Sequence, residues 1–170
     1  MCGIVGSLIV PNGVAWVDEQ TKHIHLRGPD SQIVKEVNSN LCMGVARLAM
    51  TDPHPRSNQP MIDAETGDVI SFNGEIYNFR EIRRDLESRQ VRFQTESDTE
   101  VLLKFLTLNG LESLEKLNGM FAFAFYSKSH NKVYLSRDKL GKKPLYFENN
   151  SDSFRWSSSL DSFKGVNARS

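Results

Sequence analysis

Two helix signatures lie back to back in the middle of the chain, and the sequence on either side of them reads as strand. Asn78-Phe79-Arg80-Glu81 has capping-box spacing, and Ile82 and Leu86 then recur four apart, which predicts a helix running to about Arg89. Ser97-Asp98-Thr99-Glu100 repeats the signature before Val101, Leu102, Phe105 and Leu108, with Gly110 as the stop. Residues 111–117 add a further helical turn or two. Ahead of this block, residues 3–10 form an apolar, β-branched run ended by Pro11-Asn12-Gly13. Residues 32–37 and 41–48 flank Asn38-Ser39-Asn40 as a strand pair, and residues 68–72 lead into Asn73-Gly74. Residues 15–26 have room for a short helix with weak periodicity. Behind the helices, residues 120–126, 132–136, 144–148 and 154–156 read as consecutive, mostly antiparallel strands. Strands at both ends with helices grouped between them predict an α+β fold of two sheets covered by helices. Neither an internal repeat nor a low-complexity linker divides the chain. Residues 1–163 are expected to form one domain and residues 164–170 a tail.

At 170 residues the chain is long enough to bury a two-layer core. Its 21 Lys and Arg balance 21 Asp and Glu, so no net field draws it to nucleic acid or to an anionic membrane. No stretch approaches the ~18 apolar residues of a transmembrane helix, and the N-terminus lacks signal-peptide character, so a cytoplasmic location is expected. The two cysteines, Cys2 and Cys42, are too few for a disulfide framework, and neither has zinc-site spacing. The four histidines show neither metal spacing nor an adjacent acid, and no metal is expected.

Cys2 follows the initiator methionine. Removal of Met1 leaves a residue with both a thiol and a free α-amine, a nucleophile beside a base whose reference pKa is near ~8. Read alone, Cys2 is better explained as a small residue opening a buried strand. Cys42 sits in an apolar strand pattern and reads as core. Asn73-Gly74 is the commonest tight-turn pair and by itself means a turn; beside a nucleophile, its amide and backbone N–H have the makings of an oxyanion hole. Arg47 ends a strand and Asp98 opens a helix, where a surface ion pair and a helix dipole each offer an ordinary explanation. Together, a guanidinium and a carboxylate are also what a free amino acid requires at its α-carbon.

These residues fall within a longer series of motifs: Met1-Cys2-Gly3-Ile4-Val5-Gly6, Arg27-Gly28-Pro29-Asp30-Ser31, Arg47-Leu48-Ala49, Gln59-Pro60-Met61, Asn73-Gly74-Glu75-Ile76-Tyr77-Asn78, Ser97-Asp98-Thr99-Glu100, Gly119-Met120-Phe121-Ala122-Phe123-Ala124 and Arg137-Asp138-Lys139-Leu140-Gly141. In number and order they resemble the glutaminase domain of asparagine synthetases, within the class II glutamine amidotransferases and the N-terminal-nucleophile hydrolases. The resemblance implies a four-layer α/β/β/α sandwich. It implies Cys2 as nucleophile, its α-amine as base, Asn73 with Gly74 as oxyanion hole, and Arg47 on the glutamine carboxylate. Glu75 and Asp98 would meet the α-ammonium, with the backbone of Leu48, Ala49, Met50 and Thr51 lining the pocket. Glutamine would be hydrolysed through a γ-glutamyl thioester. The chain differs from the family's usual pattern at Leu26, where His is usual before Arg-Gly, and at Ser159, where Glu usually follows Ser. No Ser-Gly-Gly-x-Asp-Ser loop is present, so ATP and Mg are expected only in a partner synthetase domain or subunit, with no cofactor in this chain. The alternative is a non-catalytic module that keeps the fold and binds glutamine or a synthetase subunit.

Overall fold

The computed structural model describes residues 2–151 and 153–163. The expected tail, residues 164–170, lies outside the described residues, as does Met1. Among the described residues, nine strands and three α-helices follow in the order β1 (Gly3–Leu8), α1 (Gly13–His23), β2 (Ser31–Asn38), β3 (Leu41–Arg47), β4 (Met61–Ile62), β5 (Val69–Ile76), α2 (Phe79–Ser88), α3 (Asp98–Asn109), β6 (Gly119–Ser127), β7 (Lys132–Arg137), β8 (Tyr146–Asn150) and β9 (Ser153–Ser157). They build a five-stranded sheet of order β2-β3-β1-β9-β8 and a four-stranded sheet of order β4-β5-β6-β7. Every strand pairing is antiparallel. The chain therefore crosses to the four-stranded sheet between β3 and β4 and returns between β7 and β8.

Successive side chains on a strand point to opposite faces, so each sheet splits its residues by parity. On β3, Cys42 and Ala46 pack with Val17 and Ile24 under α1, while Leu41 and Met43 face the second sheet and meet Val69, Ala124 and Tyr126. On β5, Ile70, Phe72 and Ile76 face α2 and α3, where Ile82, Leu86, Leu102 and Phe105 cover them. β1 and β3 lie against β5. The layers are thus α1, five-stranded sheet, four-stranded sheet, and α2 with α3, the α/β/β/α order expected.

Two local expectations are corrected. Asn73-Gly74 is not a turn: both residues lie within β5, opposite Ala122 and Phe121 of β6. The long ladder to β6 overrides the local turn preference, and a Cβ at Gly74 would collide with the Met120 carbonyl and the Phe121 backbone. Asn78 precedes α2 without capping it by its side chain. Its amide instead donates to the Lys116 carbonyl (2.9 Å) and accepts from the Asn118 N–H (3.0 Å), tying the helix start to the segment before β6. The helical turn or two expected over residues 111–117 forms as a 3-10 helix, Leu111–Lys116. The second cap does form: the Ser97 hydroxyl accepts the Glu100 N–H at 3.2 Å. Glu100 turns away from Ser97, however, and its carboxylate takes the N–H groups of Gln94 and Thr95.

Candidate active site

The parity that buries Leu41 and Met43 between the sheets carries on to Arg47, and on β5 the face of Val69 and Ser71 carries on to Asn73 and Glu75. Gly3 pairs with Ala46, so one residue further along the same register Cys2 falls opposite Arg47. The structure brings Cys2, Arg47, Leu48, Met50, Thr51, Asn73, Gly74 and Glu75 onto one cavity of about 520 Å³ at this end of the inter-sheet layer. That volume falls in the range of roughly 300–1,000 Å³ typical of small-molecule sites.

Cys2 is half-buried, and its thiol points at the Leu48 carbonyl (Sγ to O 3.7 Å). Burial pushes the thiol pKa up, against the opposing pull of the Leu48 contact and the Arg47 guanidinium. The resting group is therefore the thiol, and attack requires a proton acceptor. Arg27 donates from Nε to the Cys2 carbonyl at 3.4 Å and braces the start of β1.

Arg47 is 6% exposed, which excludes the surface-pair reading. Its Nη1 donates to the Asn58 amide oxygen at 2.7 Å, and Nη2 to the Asp52 carbonyl. A guanidinium has five N–H groups in a fixed fork, so these bonds orient it and leave donors for an incoming carboxylate. Asp52 is itself locked: its carboxylate accepts the N–H of Glu96 and of His54 and meets Arg56, and its pKa is held well below the carboxylate range, chiefly by the Glu96 N–H. Asp30 accepts the Ala49 N–H at 2.7 Å and so fixes the chain between Leu48 and Thr51.

Asn73 is fully buried, and among the described residues neither its amide nitrogen nor its amide oxygen has a hydrogen-bond partner. Burying an amide without partners costs roughly 1–3 kcal/mol by mutational measures, so a fold that keeps one on a cavity wall holds a donor ready for something else. Asp98 does not line the cavity directly. Its neighbours Ser97 and Thr99 do, while its own carboxylate accepts the Ile76 N–H at 3.1 Å. Burial, with the Glu75 carboxylate nearby, raises the Asp98 pKa to about 6. Glu75 is exposed at the rim.

Several residues of the site carried no role in the sequence. Gln59 and Ser57 are buried in the cavity wall, and Lys143 is 3% exposed there with its pKa lowered by burial and by Arg27. Lys143 is placed by Asp138, whose carboxylate takes the N–H groups of Phe121, Leu140, Lys142 and Lys143. Gln59 and Asp138 were visible as motif members, but the Gln59 bonds span 13 and 40 residues and the Asp138 bond to Phe121 spans 17, and no local pattern encodes those. Among the described residues there is no cluster of three or more potential metal ligands, and no helix is long and apolar enough to cross a membrane.

Two solved structures share the fold. Glutamine phosphoribosylpyrophosphate amidotransferase from B. subtilis, complexed with ADP and GMP, superposes with a TM-score of 0.76 at 20% identity, over 98% of this chain and 44% of that one. A structure described as the allosteric regulatory enzyme of purine biosynthesis gives a TM-score of 0.80 at 20% identity, with the same coverage. In sequence the chain is 33% identical to the putative asparagine synthetase (glutamine-hydrolyzing) 2 of Methanocaldococcus jannaschii, over 98% of this chain and 35% of that protein. It is 34% identical to the asparagine synthetase (glutamine-hydrolyzing) 3 of Bacillus subtilis, over 94% of this chain and 27% of that protein. The chain thus spans about a third or less of the length of these relatives. The family model of the glutamine amidotransferase domain matches residues 1–169. The two-sheet sandwich is the fold shared with both solved structures. The chain belongs to the glutamine amidotransferase domain family, of class II, and its relatives include glutamine-hydrolysing asparagine synthetases.

Proposed function

We propose that this domain hydrolyses the side-chain amide of L-glutamine to glutamate and ammonia, with Cys2 as nucleophile. The observation that carries the reading is the fully buried, unpartnered Asn73 amide on the same cavity as the Cys2 thiol and the Arg47 guanidinium. Removal of Met1 frees the α-amine of Cys2, which accepts the thiol proton as sulfur attacks the amide carbon. The oxygen that becomes negative is taken by the Asn73 amide with the Gly74 N–H, donors held in place before the reaction begins. The protonated amine then passes its proton to the departing nitrogen, and ammonia leaves a γ-glutamyl thioester. Water adds to the thioester, returns the proton to sulfur and releases glutamate. Arg47 holds the α-carboxylate, and Asp98 with Glu75 neutralises the α-ammonium. Leu48, Met50 and Thr51 border the bound amino acid.

These steps draw on side chains and an α-amine of this chain; ATP and Mg would belong to a partner synthetase domain or subunit that uses the ammonia to amidate a carboxylate. A cytoplasmic setting suits a reaction that depends on a reduced thiol. Protein with Met1 removed should release glutamate from L-glutamine, and an N-terminal tag that blocks the amine should stop it. A processed protein that makes no glutamate, alone or with a synthetase partner, and whose Cys2 ignores a glutamine diazo-ketone, would falsify the reading.

A further inference from the structure

Gln59 ties together the two ends of the candidate site. The β4–β5 ladder consists of the pairs Met61 with Ile70 and Ile62 with Val69. Continued by two residues, its register sets Gln59 opposite Phe72, but the ladder stops at Met61. The Gln59 side chain takes over. Its amide oxygen accepts the Phe72 N–H at 2.6 Å, and its amide nitrogen donates to the Thr99 hydroxyl at 3.2 Å. Phe72 immediately precedes Asn73, and Thr99 immediately follows Asp98. Gln59 and Thr99 are both 4% exposed. A second tie lies four residues along β5, where the Asp98 carboxylate accepts the Ile76 N–H. The first turn of α3 is therefore pinned to β5 on both sides of Asn73-Gly74-Glu75.

We propose that Gln59 is a specificity-determining positioning residue: by bridging Phe72 and Thr99 it sets the spacing between the amide end and the α-amino end of the site, and so selects glutamine over asparagine. This rests on the glutaminase reading. The substrates differ by one methylene, and a pocket discriminates one methylene by roughly 10–200-fold only when the groups at its two ends are held apart at fixed length. Removing the bridge relaxes that length. The glutamine rate then falls and the asparagine rate falls less, so their ratio narrows. A loss of general stability instead lowers both rates together.

The test is the rate at which Cys2 is alkylated by the diazo-ketone analogue of glutamine and by its homologue one methylene shorter, followed by mass spectrometry. Gln59→Leu, which keeps the bulk and removes both bonds, should shrink the wild-type preference about tenfold. Thr99→Val should shrink it less, and Thr99→Ser, which keeps the hydroxyl, should retain it. A preference unchanged within about twofold in Gln59→Leu, with both rates lowered in parallel, overturns the proposal. If Gln59→Leu does not fold, the contrast between Thr99→Val and Thr99→Ser decides by the same criterion. Failure of both reagents to label wild-type Cys2 removes the glutaminase reading and this proposal with it, whereas a normal wild-type preference carried intact into the variants removes this proposal alone.

Discussion

The layer between the two sheets has two ends built by the same strands under the same alternation, and they are filled in opposite ways. At one end Leu41, Met43, Val69, Ala124 and Trp156 are all but fully buried against each other, with Phe154 tilted on Trp156 at 6.1 Å between ring centroids. Trp156 lies over Gly6, where any Cβ would strike its ring. At the other end the same faces present Cys2, Arg47, Asn73 and Glu75, and the sheets enclose a cavity. Large apolar side chains at one end close the gap, each contributing about 1.5–3 kcal/mol when fully buried. Short or polar side chains at the other leave it open, and its polar groups are held from outside the layer, Arg47 by Asn58 and Asp52, the Asn73 strand by Gln59. Stability and chemistry are thereby assigned to separate stretches of the same strands.

Substitutions at the two ends should separate cleanly. Cys2→Ala should abolish glutamate release while leaving the urea midpoint almost unchanged, since Cys2 is only half-buried; residual turnover at the wild-type rate would sink the nucleophile assignment. Trp156→Ala should cost about 3–5 kcal/mol in urea unfolding, with kcat per folded molecule unchanged. A kcat that falls in step with stability would show that the two ends are not independent. Asn73→Ala should lower kcat about 10²–10³-fold, the loss expected for one oxyanion donor. It should not destabilise the fold, because it deletes a buried amide that has no partner to lose.

The smallest effect concerns pH. Asp98, with its pKa raised to about 6, protonates on mild acidification, and on the glutaminase reading the substrate ammonium then keeps only the Glu75 carboxylate. KM for glutamine should rise as the pH falls through that value, and Asp98→Asn should have a raised KM without that pH dependence. Stability moves the other way. A carboxyl whose folded pKa exceeds its unfolded value of about 4 disfavours the fold once ionised, so its penalty is absent below about pH 4 and complete above about pH 6. Asp98→Asn should accordingly raise the urea midpoint at pH 7 more than at pH 4. A KM that stays flat between pH 7 and pH 5 would remove Asp98 from substrate binding.

Much of this was legible from residue order. The helix starts at Phe79 and Asp98, the stop at Gly110 and the strand runs follow from patterns two to four residues long. The motif series brought Cys2, Arg47, Asn73 and Asp98 forward together. Where the sequence misled, a local rule met a stronger distant partner: Asn73-Gly74 has the chemistry of a turn, but a ladder to β6 running the length of β5 holds it extended. Asn78 has the chemistry of a cap, but the segment before β6 takes its amide.

The sequence by itself determined which side chains share a face of each strand, because alternation is a property of the backbone, and it determined the residue types able to attack and to bind. Only the tertiary structure decided that the faces carrying Cys2 and Arg47 look across at Asn73. These residues belong to different sheets, and no pattern within one strand specifies which sheet will cover it. The bridge from Gln59 to Phe72 and Thr99 belongs to the same class: its bonds join residues 13 and 40 positions apart, and they exist only because packing brings β5 and α3 together around one buried amide.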